Sequence, residues 1–330
     1  MFRREPLLDI LAFVEQRLAA GATALAFRVL DPDLGRGRYA GELVEHAGEL
    51  HVHRPFRVWV DLAERLGLRL LTPESDGGLV RLRFERLDPH DPPDSHERWQ
   101  GVAAEARGDP ASAATERYGS GSAYARISKL EDAGFVLDLG DALGRARLGR
   151  TRLGPRSRVL DLGVNTGDEL VLVTRVLPAI DLVGVDHSAS ALAVARARFP
   201  AFQFVAADVG ALATLGLGTF DLVISLSTLQ SPGIDDREVL RQIVQHHLAP
   251  RGAVILGLPN SRYRDGEIEY GARMKNFRQP ELGLLVKDVA FYRKYLQQHG
   301  RQVFVTGKHY VLVTGVAASN DSTDSAGEVA

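Results

Sequence analysis

Between residues 156 and 315 short apolar runs alternate with longer segments whose apolar residues recur every three or four positions. Runs of the first kind fit strands buried on both faces, and segments of the second kind fit helices packed along one side. Residues 158–163, 181–186, 202–208, 221–227 and 252–259 are predicted strands. Helices over 166–177, 190–199, 211–217 and 235–248 link them, and a helix over 286–299 follows. Two last strands, 302–306 and 310–314, are separated so closely by Gly307 and Lys308 that they form a hairpin, hence one antiparallel strand at the end of the sheet. The pattern predicts an α/β fold, a doubly wound seven-stranded sheet with an antiparallel last strand and ligands at the carboxyl ends of its strands.

The first 88 residues have a different pattern. An amphipathic helix over 7–19 carries Leu7, Leu8, Leu11, Phe13, Val14 and Leu18 and stops at Gly21. Strand-like segments at 23–30, 48–52, 68–72 and 79–84 follow, with a helix over 56–66 between the second and third. Residues 1–88 are therefore a small α+β domain of unassigned role. A polar, proline-rich linker covers 89–115, the large domain 116–316, and a small-residue acidic tail expected to be disordered 317–330.

Composition narrows the options. The chain has 330 residues, 45% hydrophobic and 25% charged, with a formal net charge of -2. That balance gives no global attraction to nucleic acid or anionic membrane, although it leaves room for a local basic patch. There is no cysteine, so disulfides, thiolate metal sites and a cysteine nucleophile are excluded. No metal constellation stands out among the histidines. The first residues lack a secretory pattern and no apolar run is long enough to span a bilayer, so a cytoplasmic protein without membrane contact is the expectation.

The candidate chemistry sits where the first strand of the large domain meets its helix, at Asp161, Gly163, Asn165 and Gly167. Small residues there let backbone amides and a helix N-terminus approach a ligand. A dinucleotide fingerprint anchored at Gly163 would need glycine at positions 165 and 168, which hold Asn165 and Asp168. Asp168 and Glu169 at the helix start would also repel a pyrophosphate. Asp186 ends the second strand, where a carboxylate can accept from vicinal ribose hydroxyls. His187 follows it. Asp208 ends the third strand with Val209 next to it, and residues 220–230 carry the fourth into Ser225, Thr228 and Gln230.

In order and spacing these motifs resemble the class I S-adenosylmethionine-dependent methyltransferase family, over about half of the chain. The family's loop is acid-x-Gly-x-Gly-x-Gly, and Asn165 stands at its central glycine, a residue that also tolerates left-handed backbone. The resemblance implies S-adenosyl-L-methionine as cofactor: the Asp161 to Gly167 loop around its methionine part, Asp186 and His187 at the ribose, and Asp208 with the Val209 amide at the adenine. It places Ser225 to Gln230 at the lip where methyl group and acceptor meet. An entry segment around Tyr118 and Tyr124 would fold over the cofactor, with Arg126 pairing to its carboxylate.

The acceptor is less legible. The stretch after strand five holds Asn260, Arg262, Tyr263, Asp265, Glu267, Tyr270, Lys275 and Asn276, and is expected to arch over the pocket and touch substrate. Gln230, Tyr263, Asp265 and Glu267 are the candidate catalytic residues, although an already nucleophilic acceptor requires no base. Lys275, Lys287, Lys294 and Lys308, four of the chain's five lysines, lie in the C-terminal third and read as a solvated helix face or a modest phosphate-binding surface. A small-molecule acceptor fits best. An RNA (tRNA) acceptor is the variant, and a cofactor-binding regulatory or interaction protein without turnover the alternative of a different class. Oligomeric state is not encoded in any feature of the sequence.

Overall fold

A computed structural model describes residues 1–87, 127–148, 153–231, 233–264, 266–270 and 282–318. The described residues fall into two compact units. Within the first, α1 (Leu7–Ala19) buries Leu7, Ile10, Leu11 and Val14, the one-sided stripe its periodicity predicts. Four antiparallel strands, β1 (Ala24–Leu30), β4 (Leu68–Leu70), β5 (Glu74–Asp76) and β6 (Leu79–Arg86), make its sheet in the order β1-β6-β4 with β5 also on β6. A separate hairpin pairs β2 (Leu43–His46) with β3 (Glu49–Val52), and α2 (Phe56–Arg65) precedes β4. The strands β2 and β5 escape the sequence pattern because both are short and β5 has no buried residue to mark an inner face.

Burial alternates along β1 and β6, as a sheet packed on one face requires. Phe27 of β1 is the centre of this core, stacked on Phe84 at 5.3 Å and edge-on to Trp59 at 5.8 Å. Arg54 joins it as a buried cation: its Nε donates to Glu131 at 2.7 Å and its Nη2 to the Glu5 carbonyl at 2.6 Å. Glu131 also accepts from the Leu7 amide, at the start of α1. Residues Tyr263–Glu267, far along the chain, also belong to this unit.

The second unit begins with α3 (Ala133–Leu148) from Phe135 onward and holds the seven-stranded sheet. Its elements in chain order are β7 (Arg158–Leu162), α4 (Asp168–Val176), β8 (Asp181–Asp186), α5 (Ala189–Arg198), β9 (Gln203–Ala206), β10 (Phe220–Leu226), α6 (Asp236–Gln242) and β11 (Leu248–Pro259). The hairpin strands β12 (Ser261–Arg264) and β13 (Glu267–Tyr270), of which Tyr263–Glu267 fall in the first unit, come next, then α7 (Leu282–Gln298), β14 (Arg301–Thr306) and β15 (Tyr310–Ala317). The sheet order is β14-β15-β11-β10-β7-β8-β9. Strands β7, β8 and β10 are buried almost end to end, which is why they read as continuous apolar runs. Among the described residues no helix is long and apolar enough to cross a membrane.

Three local details differ from the sequence pattern. The antiparallel strand is not at the sheet's edge: β15 lies between β11 and β14, pairing antiparallel with both. The chain returns from α7 into β14, and the tight turn then folds β15 back into the gap. The predicted helix over 235–248 stops as an α-helix at Gln242 and widens into one π-type turn, Ile243–His247, whose His247 Nδ1 meets the Gly218 carbonyl at 2.9 Å. The fifth strand, predicted to start at 252, already begins at Leu248 as β11, with Leu248 paired to Phe220 ahead of a register shift.

The buried Arg54–Glu131 pair yields a stability prediction. Arg54→Met leaves the Glu131 carboxylate without its partner and should destabilise the first unit by roughly 3–5 kcal/mol, whereas Arg54→Met with Glu131→Leu should recover much of that loss. Urea denaturation followed by tryptophan fluorescence measures both, and equal stability of the single variant and the parent would remove the pair from the core's support.

Candidate functional site

The carboxyl ends of β7, β8 and β10 come together at one edge of the sheet, because these strands run parallel. Asp161 is fully buried in β7, one residue before the strand ends. The loop then turns on three left-handed residues, Gly163 (φ 82°), Asn165 (φ 46°) and Gly167 (φ 78°). Gly167 is the N-cap of α4. At Gly163 the reason for glycine is steric: a Cβ there would lie 1.8 Å from Thr228 Oγ1. Asn165 fills its left-handed position with a side chain that supports it, its Oδ1 accepting the Thr166 amide at 2.7 Å.

Asp186, at the end of β8, fastens this loop. It is 5% exposed. One carboxylate oxygen accepts the Asn165 amide at 2.8 Å and the other accepts the Ser188 amide at 2.8 Å. A carboxylate has about four acceptor positions, so two remain for a vicinal diol after both backbone bonds are made. His187 Nδ1 lies 3.5 Å from the same group. Ser188 caps α5 by accepting from the Ala191 amide, which frees Asp186 from that task. Further along the edge, exposed Asp208 accepts the Gly210 amide at 2.7 Å through one oxygen, and Val209 is buried in the core.

The residues after β10 are drawn into the structure more deeply than an open lip suggests. Ser225 is buried and its hydroxyl donates to the Leu162 carbonyl at 3.3 Å, across to β7. Thr228 covers Gly163, its hydroxyl donating to Leu226 O at 3.3 Å. Gln230 is 6% exposed, and its Nε2 donates to the Tyr292 hydroxyl at 3.3 Å. Tyr292 in turn donates to Asp236 Oδ2 at 2.8 Å. Burial first, and then the negative Asp236, hold the Tyr292 phenol proton far above its usual range. Neither Gln230 nor Tyr292 is therefore a proton acceptor at neutral pH. Nothing in the sequence pointed to Tyr292, because it lies 62 positions from Gln230 and occupies an apolar position of α7.

The stretch after β11 separates into pieces. Asn260 holds the turn between β14 and β15, its Nδ2 donating to Lys308 O at 2.8 Å. Arg262 lies on β12. Tyr263 packs edge-on against Tyr39 within the first unit, ring centres 5.9 Å apart. Glu267 is also in the first unit; desolvation raises its carboxyl pKa against the lowering effect of Arg57 and Arg36. Tyr270 ends β13 with Lys308 Nζ 5.1 Å from its ring centre. Tyr118, Tyr124, Arg126, Asp265, Lys275 and Asn276 lie outside the described residues. Among the described residues no cluster of three or more histidines and acids could hold a metal ion.

Comparison with known proteins bears on this edge. Residues 159–252 match a family model described as a methyltransferase domain. The chain is 34% identical over 115 residues to a trans-aconitate 2-methyltransferase of Paracidovorax citrulli, covering 35% of this chain and 44% of that protein. It is 32% identical over 106 residues to a trans-aconitate 2-methyltransferase of Deinococcus radiodurans, covering 32% and 39%. The chain thus spans less than half the length of these curated relatives. Among solved structures, an O-methyltransferase family protein from Burkholderia thailandensis aligns at 16% identity and a TM-score of 0.39, over 62% of this chain and 64% of that one.

Gly163→Ala tests the close approach of the loop to Thr228. The left-handed φ costs roughly 1–2 kcal/mol and the overlap roughly 1–3 kcal/mol more. Thr228→Ala in the same chain should return part of the overlap and none of the φ cost. Urea midpoints of the single and double variants measure this, and an undisturbed Gly163→Ala protein would contradict the contact.

Proposed function

We propose that this protein, whose residues 159–252 match a methyltransferase domain, is an S-adenosylmethionine-dependent methyltransferase acting on a small molecule. The observation that carries the reading is the Asp186 carboxylate, buried at the end of β8 and tied to the Asn165 amide of the neighbouring loop. This geometry fits a nucleoside whose ribose lies across the ends of β7 and β8. The left-handed loop at Gly163, Asn165 and Gly167 keeps side chains away from the methionine part, and Asp208 and the Val209 amide are proposed at the adenine. His187 borders the ribose and Ser225 supports the floor from within the sheet.

The cofactor supplies an electrophilic methyl group on a sulfonium sulfur, so the protein's work is to align the acceptor with it and exclude water. The groups nearest the acceptor side are suited to alignment and not to deprotonation. The amide of Gln230 is oriented by Tyr292, whose own proton is held by Asp236. This pairing suits an acceptor that is nucleophilic without losing a proton, such as an ionised carboxylate. The relatives named trans-aconitate 2-methyltransferases support the same class of acceptor, a small polycarboxylic acid. Thr228, Gln230, Asn260 and Tyr270 remain the proposed neighbours of the acceptor.

Incubating the purified protein with S-adenosylmethionine and trans-aconitate should release S-adenosylhomocysteine and a singly methylated ester, both read by mass spectrometry. Tight cofactor binding without methylation of trans-aconitate or of other small polycarboxylic acids would overturn the acceptor class. Asp186→Ala should weaken S-adenosylmethionine binding by roughly 1–3 kcal/mol through lost hydrogen bonds to a charged group. Titration calorimetry measures it, and unchanged affinity would remove Asp186 from the ribose site.

A further inference from the structure

The turn between β14 and β15 sits at the same edge of the sheet as the loop after β7. Strand β14 is antiparallel to β15 and β15 is antiparallel to β11, so β14 runs parallel to β11 and ends at the ligand edge. Lys308 therefore brings an ammonium group to that edge. Its backbone is held on both sides. The Lys308 amide donates to Asp138 Oδ2 of α3 at 2.7 Å, and the Lys308 carbonyl accepts from Asn260 Nδ2 at 2.8 Å. The Asn260 amide also reaches His309 O at 3.3 Å. Gly307 shapes the turn at φ 98°, and a Cβ there would lie 2.3 Å from Tyr310 O. Finally, Lys308 Nζ rests 5.1 Å from the ring centre of Tyr270.

A lysine that only solubilises a hairpin turn does not require a buried aspartate, an asparagine from the neighbouring strand and an aromatic face to hold it. Support of this kind fixes where a charge stands, which is what recognition of a small charged ligand needs. Asn260 and Tyr270, both of which the sequence offers as acceptor contacts, converge on Lys308. Strand β11 separates β15 from β10, so at about 4.8 Å per strand the gap is about 10 Å, which the lysine side chain and a small polycarboxylate together can bridge.

We propose that Lys308, positioned by Asp138, Asn260 and Tyr270, is the cation that anchors a carboxylate of the acceptor at the sheet edge. The proposal rests on the methyltransferase reading above and adds the residue that selects an anionic acceptor. A carboxylate bound there leaves another carboxylate of the same molecule to face the methyl donor. No proton needs to move, since the attacking oxygen is already ionised and the methyl group leaves sulfur as the new carbon–oxygen bond forms.

The test is calorimetric titration of trans-aconitate into the full chain saturated with S-adenosylhomocysteine, with the trimethyl ester as the uncharged control. Lys308→Met should weaken trans-aconitate binding by roughly ten-fold or more and Lys308→Arg by only about three-fold, as loss and retention of a charge pair require. S-adenosylhomocysteine affinity should stay within about two-fold in both, and added salt should weaken the parent more than Lys308→Met. The uncharged ester should show no such difference. Undiminished trans-aconitate binding by Lys308→Met overturns the proposal, as does a parent complex that holds S-adenosylhomocysteine and binds no trans-aconitate. A parent that fails to bind S-adenosylhomocysteine instead sinks the methyltransferase reading, and the anchor with it.

Discussion

The carboxylate of Asp186 makes two backbone hydrogen bonds that join what the chain separates, the Asn165 amide of the loop after β7 and the Ser188 amide ahead of α5. That group adds an anchor at the middle of the loop to the backbone bonds on either side, where the Gly163 amide donates to Val185 O at 2.7 Å and the Gly167 amide to Val164 O at 2.8 Å. The two amides take one acceptor position on each oxygen and leave others open, so structure and ligand recognition draw on the same group. The close fit of Thr228 over Gly163 is the companion constraint, closing the loop from the β10 side.

The second layer of the site works by fixing polarity. Tyr292 has one proton, which it donates in a hydrogen bond to the Asp236 carboxylate, so the phenol oxygen is left to accept from the Gln230 amide. The side chain that ends nearest the proposed acceptor is thereby oriented by residues on α6 and α7 that need not touch any ligand. Lys308 is arranged in a comparable way, its backbone fixed by Asp138 and Asn260 and its ammonium laid on Tyr270. Charge and hydrogen-bond direction are set before a ligand arrives, which lowers the ordering cost of binding.

The strand-end edge proposed to hold the cofactor was largely legible in the sequence. Strands β7, β8 and β10 are buried on both faces and so read as unbroken apolar runs, and Asp186 closes one of them. Asn165 in place of glycine did not obscure the loop, because asparagine tolerates the φ of 46° that the position adopts. The acceptor side was not legible to the same degree. Tyr263 and Glu267 read as substrate contacts from their density of polar groups; the structure sets Tyr263 against Tyr39 and Glu267 under the influence of Arg57 and Arg36. Lys308 read as one more solvated lysine, since its supports are 48 and 170 positions away along the chain.

What the sequence determined by itself is what short-range physics controls: the period of burial in each element, the glycines required where the backbone turns left-handed, and the acid at the end of a strand. What only the tertiary structure decided is which distant groups share a proton or a charge. Insertion of β15 between β11 and β14 follows from strand pairing across the sheet. The same is true of the Gln230, Tyr292 and Asp236 chain and of the clamp around Lys308. Hydrogen bonds and ion pairs depend on distance in space, and the hydrophobic pattern of one element carries no record of which polar group on another will meet it.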